Sequence, residues 1–293
     1  MPDQRSVTVF APAKINLFLH VGDKRADGFH DLESLVVFAA LGDRLEFSDA
    51  VAPDLSLTGP FASTLEGADN LALRAARALD PERGARIALE KNIPVAAGLG
   101  GGSADAAAAL KGLNALWQLG RSEMQLCDIA ASLGSDVPAC VLSRALWMEG
   151  RGERVTEIAP LPSFSLVLAN LGIAIPTAEV FAALNVRSGI GAMSPPAAPI
   201  SSVWDLVDYL DDAGNDLEAP ACSLVPAIDE VLEALAHEPG CVLAQMSGSG
   251  ATCFGLFQDG PWAEGAVERL AKDHPHWWVE ATQIAEAEIG APA

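Results

Sequence analysis

The chain has 293 residues, of which 50% are hydrophobic and 19% charged, and its formal net charge is −21 at pH 7. This balance is typical of a globular protein with one large or two modest domains, and the acidic excess disfavours nucleic acids and anionic membranes as partners, because those surfaces select for clustered Lys and Arg. The sequence shows neither a long apolar run nor an N-terminal signal core, so we expect a cytoplasmic protein without a membrane span.

The first predicted element is a strand over residues 7–20, where apolar side chains alternate with smaller or polar ones. Ala11-Pro12-Ala13 interrupts the alternation and predicts a bulge, because proline cannot donate to a strand ladder. Lys14 and Asn16 follow the bulge and share a face, since alternate side chains of a strand point the same way.

Further antiparallel strands and one helix are expected before the middle of the chain. Residues 35–48 are predicted to form a hairpin with its turn at Gly42-Asp43. Asn70 or Asp69 is suited to cap a helix over 71–79, and a strand then leads into a glycine-rich stretch.

The glycine-rich stretch covers residues 94–108 and continues into an alanine-rich helix. Four of its residues lack a Cβ atom, which frees the backbone to adopt positive φ and to turn its amides toward a bound group: Gly98, Gly100, Gly101 and Gly102. The stretch feeds the unpaired amides of a helix N-terminus, a place that attracts phosphate. A flexible turn is the alternative, and four clustered glycines alone do not decide between the two.

Two common phosphate-binding motifs are absent from the sequence. The chain contains no Gly-Lys dipeptide, so the Walker loop is absent. The dinucleotide fingerprint fails because Ser103 stands where a third glycine or an alanine is required.

The second half of the chain contains both helices and strands. Ser122-x-x-Gln125 fits a capping box for a helix that stops near Gly134, and residues 145–158 are predicted to form a hairpin. Pro160-Leu161-Pro162 marks a boundary, which predicts an N-terminal domain over 1–160 and a C-terminal domain over 161–293. The elements expected after it are strand 165–170, helices 178–184, 202–210 and 226–236, strands 241–245 and 252–257, helix 262–272 and strand 277–283.

Three separated segments resemble, in order and spacing, the three motifs of the GHMP kinase superfamily: Pro12–Leu17, Gly98–Ser103 and Ser247–Ala251. Four more resemble those members that act on a CDP-methylerythritol in the non-mevalonate isoprenoid pathway: Arg25–His30, Leu133–Pro138, Ile175–Thr177 and Asn215–Glu218. The similarity covers essentially the whole chain.

The resemblance implies an α+β fold of two lobes, an N-terminal ATP-binding lobe like ribosomal protein S5 and a C-terminal ferredoxin-like lobe. It also implies a small-molecule kinase that uses ATP and Mg²⁺ to phosphorylate the 2-hydroxyl of 4-(cytidine 5'-diphospho)-2-C-methyl-D-erythritol. Metal ligands and oligomeric state are left open.

Carried onto this chain, the superfamily's motifs imply three groups of site residues. The catalytic pair is Lys14 and Asp136. The nucleotide is bound by Asn70 and Lys91 on its adenine side, by Pro94, and at its phosphates by Gly98, Leu99, Gly100, Gly101, Gly102 and Ser103. The acceptor substrate is bound by Asn16, Phe29, His30, Thr177, Phe181, Gly248, Ser249 and Gly250, with Phe29 and Phe181 on the two faces of the cytosine ring.

These residue types suit phosphoryl transfer, which requires alignment and charge stabilisation more than covalent work. Asp136 would accept the proton of the acceptor hydroxyl, and Lys14 would hold it ionised. An ordinary alternative exists for each: Asp136 before Val137-Pro138 is typical of a helix N-cap, and Lys14 of a surface side chain. Phe29 stands where the members that act on a CDP-methylerythritol more often have tyrosine, so any hydrogen bond from that hydroxyl is lost.

Three other functions compete with this interpretation. A GHMP kinase for mevalonate or homoserine is the nearest, and Phe29, His30 and Phe181 disfavour it, because an aromatic base pocket is of no use to a small acyclic acid. A non-catalytic nucleotide-binding regulator is disfavoured by the presence of Lys14 and Asp136, and a nucleic-acid-binding module by the charge.

The five cysteines form no C-x-x-C pair, which predicts reduced, buried thiols: Cys127, Cys140, Cys222, Cys241 and Cys253.

Overall fold

The structure is a computed structural model that describes residues 5–65, 69–185 and 189–285. The first four residues, on which the expectation of no export signal partly rests, lie outside the described residues. Two mainly antiparallel sheets, each accompanied by helices, make up the described chain, so the predicted α+β class and two-lobed architecture are confirmed. No helix within these ranges is long and apolar enough to cross a membrane.

The first lobe is built on a seven-stranded sheet in the order β4-β5-β3-β6-β7, with β1 and β2 also paired to β3. All pairings are antiparallel except that of β4 with β5. The strands are β1 (Ser6–Asn16), β2 (His20–Lys24), β3 (His30–Ala50), β4 (Asp54–Thr58), β5 (Gly84–Glu90), β6 (Leu146–Gly150) and β7 (Arg154–Glu157).

The predicted hairpin over 35–48 is wrong, because β3 is one strand of 21 residues that continues through Gly42-Asp43. Gly42 lies where β1 approaches closely: a Cβ atom on it would be 2.1 Å from the carbonyl oxygen of Ala11. Asp43 is fully buried and accepts hydrogen bonds from the Lys91 ammonium and from the amides of Asn92 and Ile93. A pair that is typical of a turn therefore serves a close backbone contact and a buried ion pair.

The bulge predicted in β1 is confirmed by the strand register, which shifts between Pro12 and Lys14. The strand ends at Asn16 rather than at His20. The chain leaves β1 there because the Leu19 amide donates to the carbonyl of Gly214, in the second lobe, at 3.0 Å. Lys14 and Asn16 are thereby placed at the end of β1, where the two lobes meet.

Four helices belong to the first lobe: α1 (Leu71–Leu79), α2 (Gly101–Leu116), α3 (Glu123–Ala130) and α4 (Val137–Leu142). The Asn70 side chain caps α1 by accepting from the Ala72 amide at 2.8 Å, and Ser122 and Gln125 form the predicted capping box of α3. The buried alanines and leucines of α2 share one core with Phe38 and Phe47 of β3. The glycine-rich stretch thus continues into a helix that packs into the core of this lobe.

The second lobe has a four-stranded antiparallel sheet in the order β11-β8-β10-β9. Its strands are β8 (Ser165–Asn170), β9 (Cys241–Met246), β10 (Cys253–Phe257) and β11 (Trp278–Gln283). Its helices are α5 (Thr177–Ala182), α6 (Val203–Leu210), α7 (Glu218–Leu224), α8 (Ala227–His237) and α9 (Gly260–Asp273). With α8 and α9 as its crossovers, this is the β-α-β-β-α-β arrangement of the expected ferredoxin-like lobe.

Five short elements are not among the predicted ones: β2, β4, the 3-10 helix Ala62–Leu65, α4 and α7. The two sheets share a core, in which Ile15 and Leu17 pack with Leu166, Leu168 and Phe254. The predicted domain boundary at 160/161 stays a prediction. All five cysteines are free, and Cys222 and Cys241 are only half-buried.

Candidate active site

A cleft of about 430 Å³ opens where β1, the start of α2 and the second lobe meet. Most of the predicted site residues line it together: Lys14, Asn16, Phe29, His30, Gly98, Gly100, Gly101, Gly102, Ser103, Asp136, Thr177, Phe181, Gly248 and Ser249. The three segments that carry the resemblance therefore converge on one cavity.

A smaller cavity of about 140 Å³ lies beside the cleft, and Gly101 and Gly102 line both. Its wall includes the residues predicted for the adenine side of the nucleotide and Pro94: Asn70, Lys91 and Pro94. The first turn of α2 thus lies between the cleft and the smaller cavity.

Leu99 and Gly250 line neither cavity. Leu99 is buried in the core, and its carbonyl accepts a hydrogen bond from the Lys14 amide at 2.9 Å. Gly250 donates its amide to the Ser247 carbonyl at 3.0 Å, and a Cβ atom on it would be 2.5 Å from the sulfur of Met246. Both residues support the wall of the cleft from behind, and their predicted contact with a ligand stays a prediction.

The glycine-rich stretch makes a left-handed turn into α2, with φ of 77° at Gly98 and 62° at Gly100. Gly98 must be glycine for a second reason, because a Cβ atom there would be 2.2 Å from the Ser247 carbonyl oxygen. Gly100 caps α2 without a side-chain hydrogen bond. The first-turn amides, which have no partner within a helix, belong to residues that line the cleft, so this end of α2 fits an anion.

Lys14 and Asp136 meet at the cleft, where Lys14 Nζ donates to Asp136 Oδ2 at 2.8 Å. The lysine side chain is 5% exposed and the aspartate 33%, so the carboxylate remains open to a ligand. Asp136 occupies the N-cap position of α4 but makes no capping hydrogen bond, and its side chain turns to Lys14 instead. Behind this pair, burial raises the pKa of the Cys140 thiol to about 12, and the charge of Asp136 adds to the shift.

The aromatic side chains form the other end of the cleft. The Phe29 ring is half exposed and lies 5.0 Å from the Arg151 guanidinium, while His30 stacks on Phe181 with ring centroids 5.5 Å apart. His30 Nδ1 lies 3.0 Å from the Gly22 carbonyl oxygen. Flat, partly exposed π faces are suited to stacking on a planar base.

Lys91 is held between two buried carboxylates that sequence reasoning did not assign, Asp43 and Asp105. Burial lowers the pKa of Lys91, but attraction to Asp105 and Asp43 outweighs it and the pKa is raised. Burial raises the pKa of Asp105 to about 7, against the opposing attraction of Lys91. The Lys91 ammonium is thus neutralised inside the protein, and its predicted contact with adenine stays a prediction.

Sequence analysis did not identify Ser34 and Arg151, which also line the cleft. Arg151 has a recognisable signal, because it stands between the glycines of a hairpin turn, Gly150 and Gly152. Asp105 has one as well, since a carboxylate among the alanines of a helix needs a partner. Ser34 has none, because serine is common on any strand.

Two family descriptions match the chain: "GHMP kinases N terminal domain" over residues 70–144 and "GHMP kinases C terminal" over residues 202–276. The chain is 52% identical, over 94% of its length and 97% of the relative, to the 4-diphosphocytidyl-2-C-methyl-D-erythritol kinase of Parvibaculum lavamentivorans. It is 51% identical, over 94% of its length and 98% of the relative, to the kinase of the same name from Cereibacter sphaeroides strain ATCC 17025.

Solved structures agree with these relatives. A 4-(cytidine 5'-diphospho)-2C-methyl-D-erythritol kinase has a TM-score of 0.75 and 34% identity, and the match covers 95% of this chain and 99% of that one. A mevalonate kinase has a TM-score of 0.68 at 12% identity, over 95% of this chain and 99% of that one, which shows a shared fold alone.

Proposed function

The chain belongs to the 4-diphosphocytidyl-2-C-methyl-D-erythritol kinases of the GHMP kinase family, and from this premise we propose the reaction that its cleft performs. ATP phosphorylates the 2-hydroxyl of 4-(cytidine 5'-diphospho)-2-C-methyl-D-erythritol, giving the 2-phosphate and ADP, in non-mevalonate isoprenoid biosynthesis. The observation that carries the proposal is that one cleft joins a helix N-terminus, a lysine–aspartate pair with a partly exposed carboxylate and two aromatic rings.

The start of α2 would bind the phosphates of ATP. Its unpaired amides and the positive end of the helix dipole favour negative charge, and glycine at 100–102 keeps side chains out of the way. In a protein with a net charge of −21, such local features must hold the nucleotide.

The Lys14–Asp136 pair would act on the acceptor. Lys14 favours the ionised carboxylate of Asp136, which orients the 2-hydroxyl and takes its proton as the phosphoryl group arrives. Lys14 also faces the transferred group with a positive charge. The cytosine would stack between Phe29 and Phe181, which fixes the distance from the base to the reacting hydroxyl.

We also propose Mg²⁺ as a cofactor alongside ATP. Among residues 5–65, 69–185 and 189–285, no group of three or more His, Cys, Asp or Glu side chains forms a metal cage. The ion would therefore be carried mainly by the phosphates of ATP, as is common for Mg²⁺, and it supplies neutralisation of phosphate charge.

The proposal is tested by measuring ADP release from ATP with three acceptors: the CDP-alcohol, mevalonate and homoserine. We expect rapid turnover with the CDP-alcohol alone, because only it fills the aromatic end of the cleft. Turnover with mevalonate or homoserine at a similar kcat/KM would contradict the substrate assignment.

A further inference from the structure

Behind the cleft, a chain of three hydrogen-bonding groups joins β3 to β1. Ser34 Oγ donates to the Phe18 carbonyl oxygen at 2.5 Å, and Asn16 Nδ2 donates to Ser34 Oγ at 2.8 Å. Asn16 is 3% exposed and Ser34 1%, so solvent does not compete for these bonds. The proposed mechanism does not use Ser34.

The direction of each hydrogen bond in this chain is fixed by chemistry. A carbonyl oxygen can only accept, so the single hydroxyl proton of Ser34 points to Phe18. Ser34 Oγ can then only accept, so Asn16 must turn its NH₂ group toward Ser34 and its Oδ1 away from it. The orientation of the Asn16 amide is therefore determined by the Phe18 carbonyl, through the hydroxyl of Ser34.

The Asn16 Oδ1 atom that results is a buried acceptor with no hydrogen-bond partner in the described part of the chain. It is 3.5 Å from the position a Cβ atom on Gly248 would occupy, and Asn16, Ser34 and Gly248 all line the cleft. Because an unsatisfied buried acceptor is unfavourable, the atom is suited to a ligand that brings a donor.

The methylerythritol part of the proposed substrate carries three free hydroxyls, on the carbon that is phosphorylated and on its two neighbours. The reacting hydroxyl gives its one proton to Asp136, so Asn16 Oδ1 is left for a neighbouring hydroxyl. We propose that Ser34 is a positioning residue, which holds the Asn16 amide so that Oδ1 accepts a hydrogen bond from a hydroxyl next to the one phosphorylated. This inference rests on the proposed function.

The test combines substitutions in the protein with the removal of single hydroxyls from the substrate. It compares kcat/KM for the CDP-alcohol and for its 1-deoxy and 3-deoxy analogues in three proteins: wild type, Ser34→Ala and Ser34→Thr. Ser143→Ala is the matched control, since this buried serine also donates to a carbonyl, that of Cys140, but does not line the cleft.

We expect wild type to disfavour one deoxy analogue by roughly tenfold or more, the effect of losing one hydrogen bond to a buried acceptor. Ser34→Ala frees the amide to rotate, so its discrimination should shrink to within about twofold while its KM for ATP stays unchanged. Ser34→Thr and Ser143→Ala should keep the wild-type discrimination. If Ser34→Ala does not fold, Ser34→Cys takes its place, because a thiol is a weak partner for both bonds.

Equal discrimination by wild type and by the Ser34→Ala or Ser34→Cys protein would overturn the inference, and so would a wild type that accepts both deoxy analogues as well as the parent compound. Both results leave the proposed function standing. A wild type that does not phosphorylate the parent compound would overturn the proposed function and this inference with it.

Discussion

Two lysines in this acidic chain are buried beside carboxylates, and their surroundings separate their roles. Lys14 faces Asp136, whose side chain is 33% exposed and lines the cleft. Lys91 faces Asp43 and Asp105, which are both buried. An ion pair that solvent reaches can exchange partners with a ligand, whereas removing one member of a buried pair leaves an uncompensated charge and destabilises the fold.

Lys91→Met tests this division. Removing the ammonium leaves two buried carboxylates without compensation, so we expect the free energy of unfolding to fall by about 3 to 5 kcal/mol. Lys14→Met is the matched control and should lose much less stability, because Asp136 can be hydrated. Denaturant titration of both variants measures the difference, and equal losses would contradict the division of roles.

Phe181→Ala tests the aromatic end of the cleft. Stacking of a base on an aromatic ring contributes about 1 to 3 kcal/mol, so KM for the CDP-alcohol should rise roughly tenfold or more while KM for ATP changes little. Phe29→Tyr keeps the ring face and should be mild. Steady-state kinetics with each substrate varied separately gives both constants. A rise in KM for ATP instead would place Phe181 at the nucleotide.

At the scale of elements, local patterns could be predicted from the sequence and long-range ones could not. The caps at Asn70 and Ser122 and the bulge near Pro12 are determined by residues within a few positions. The role of Gly42-Asp43 depends on Ala11 and Lys91, which are distant in sequence, so the local pattern predicts a turn where the strand in fact continues. The role of Ser34 could not be predicted for the same reason, because it depends on hydrogen bonds with Phe18 and Asn16.

The residues of the glycine-rich stretch are expected to differ in what they contribute. Gly102→Ala places a Cβ atom only 3.4 Å from Leu71 Cδ1, an ordinary contact, so the fold should survive while ATP binding weakens. Gly98→Ala combines a φ of 77° with a contact of 2.2 Å to the Ser247 carbonyl, so it should lower the melting temperature markedly. Calorimetry of unfolding and of ATP binding separates the two effects. A Gly98→Ala protein as stable as wild type would contradict the assignment.

At the scale of the whole molecule, the two lobes share a core, in which Ile15 and Leu17 of the first lobe pack with Leu166, Leu168 and Phe254 of the second. Each sheet buries part of its apolar side chains against the other, which favours one cooperative unit. Lys14 and Asn16 of the cleft flank Ile15 of this core, so the cleft and the shared core are built on the same strand.

A single thermal unfolding transition is therefore expected. Phe254→Ala, which opens a cavity in the shared core, should lower stability by about 3 to 5 kcal/mol and still give one transition. Scanning calorimetry with and without ATP measures this. Two separate transitions, only one of which moves with ATP, would mean that the lobes fold independently.

The central claim is that Asp136 is the base of a kinase whose cleft joins the two lobes, and the kcat of Asp136→Asn tests it most directly. The substitution keeps the shape but cannot take a proton, so we predict that kcat falls by about 10²- to 10⁴-fold. The KM for ATP and the melting temperature should stay close to wild type, because Asp136 makes no capping hydrogen bond. An Asp136→Asn enzyme that keeps most of its kcat would contradict the account and leave Lys14 and the start of α2 as the main source of rate.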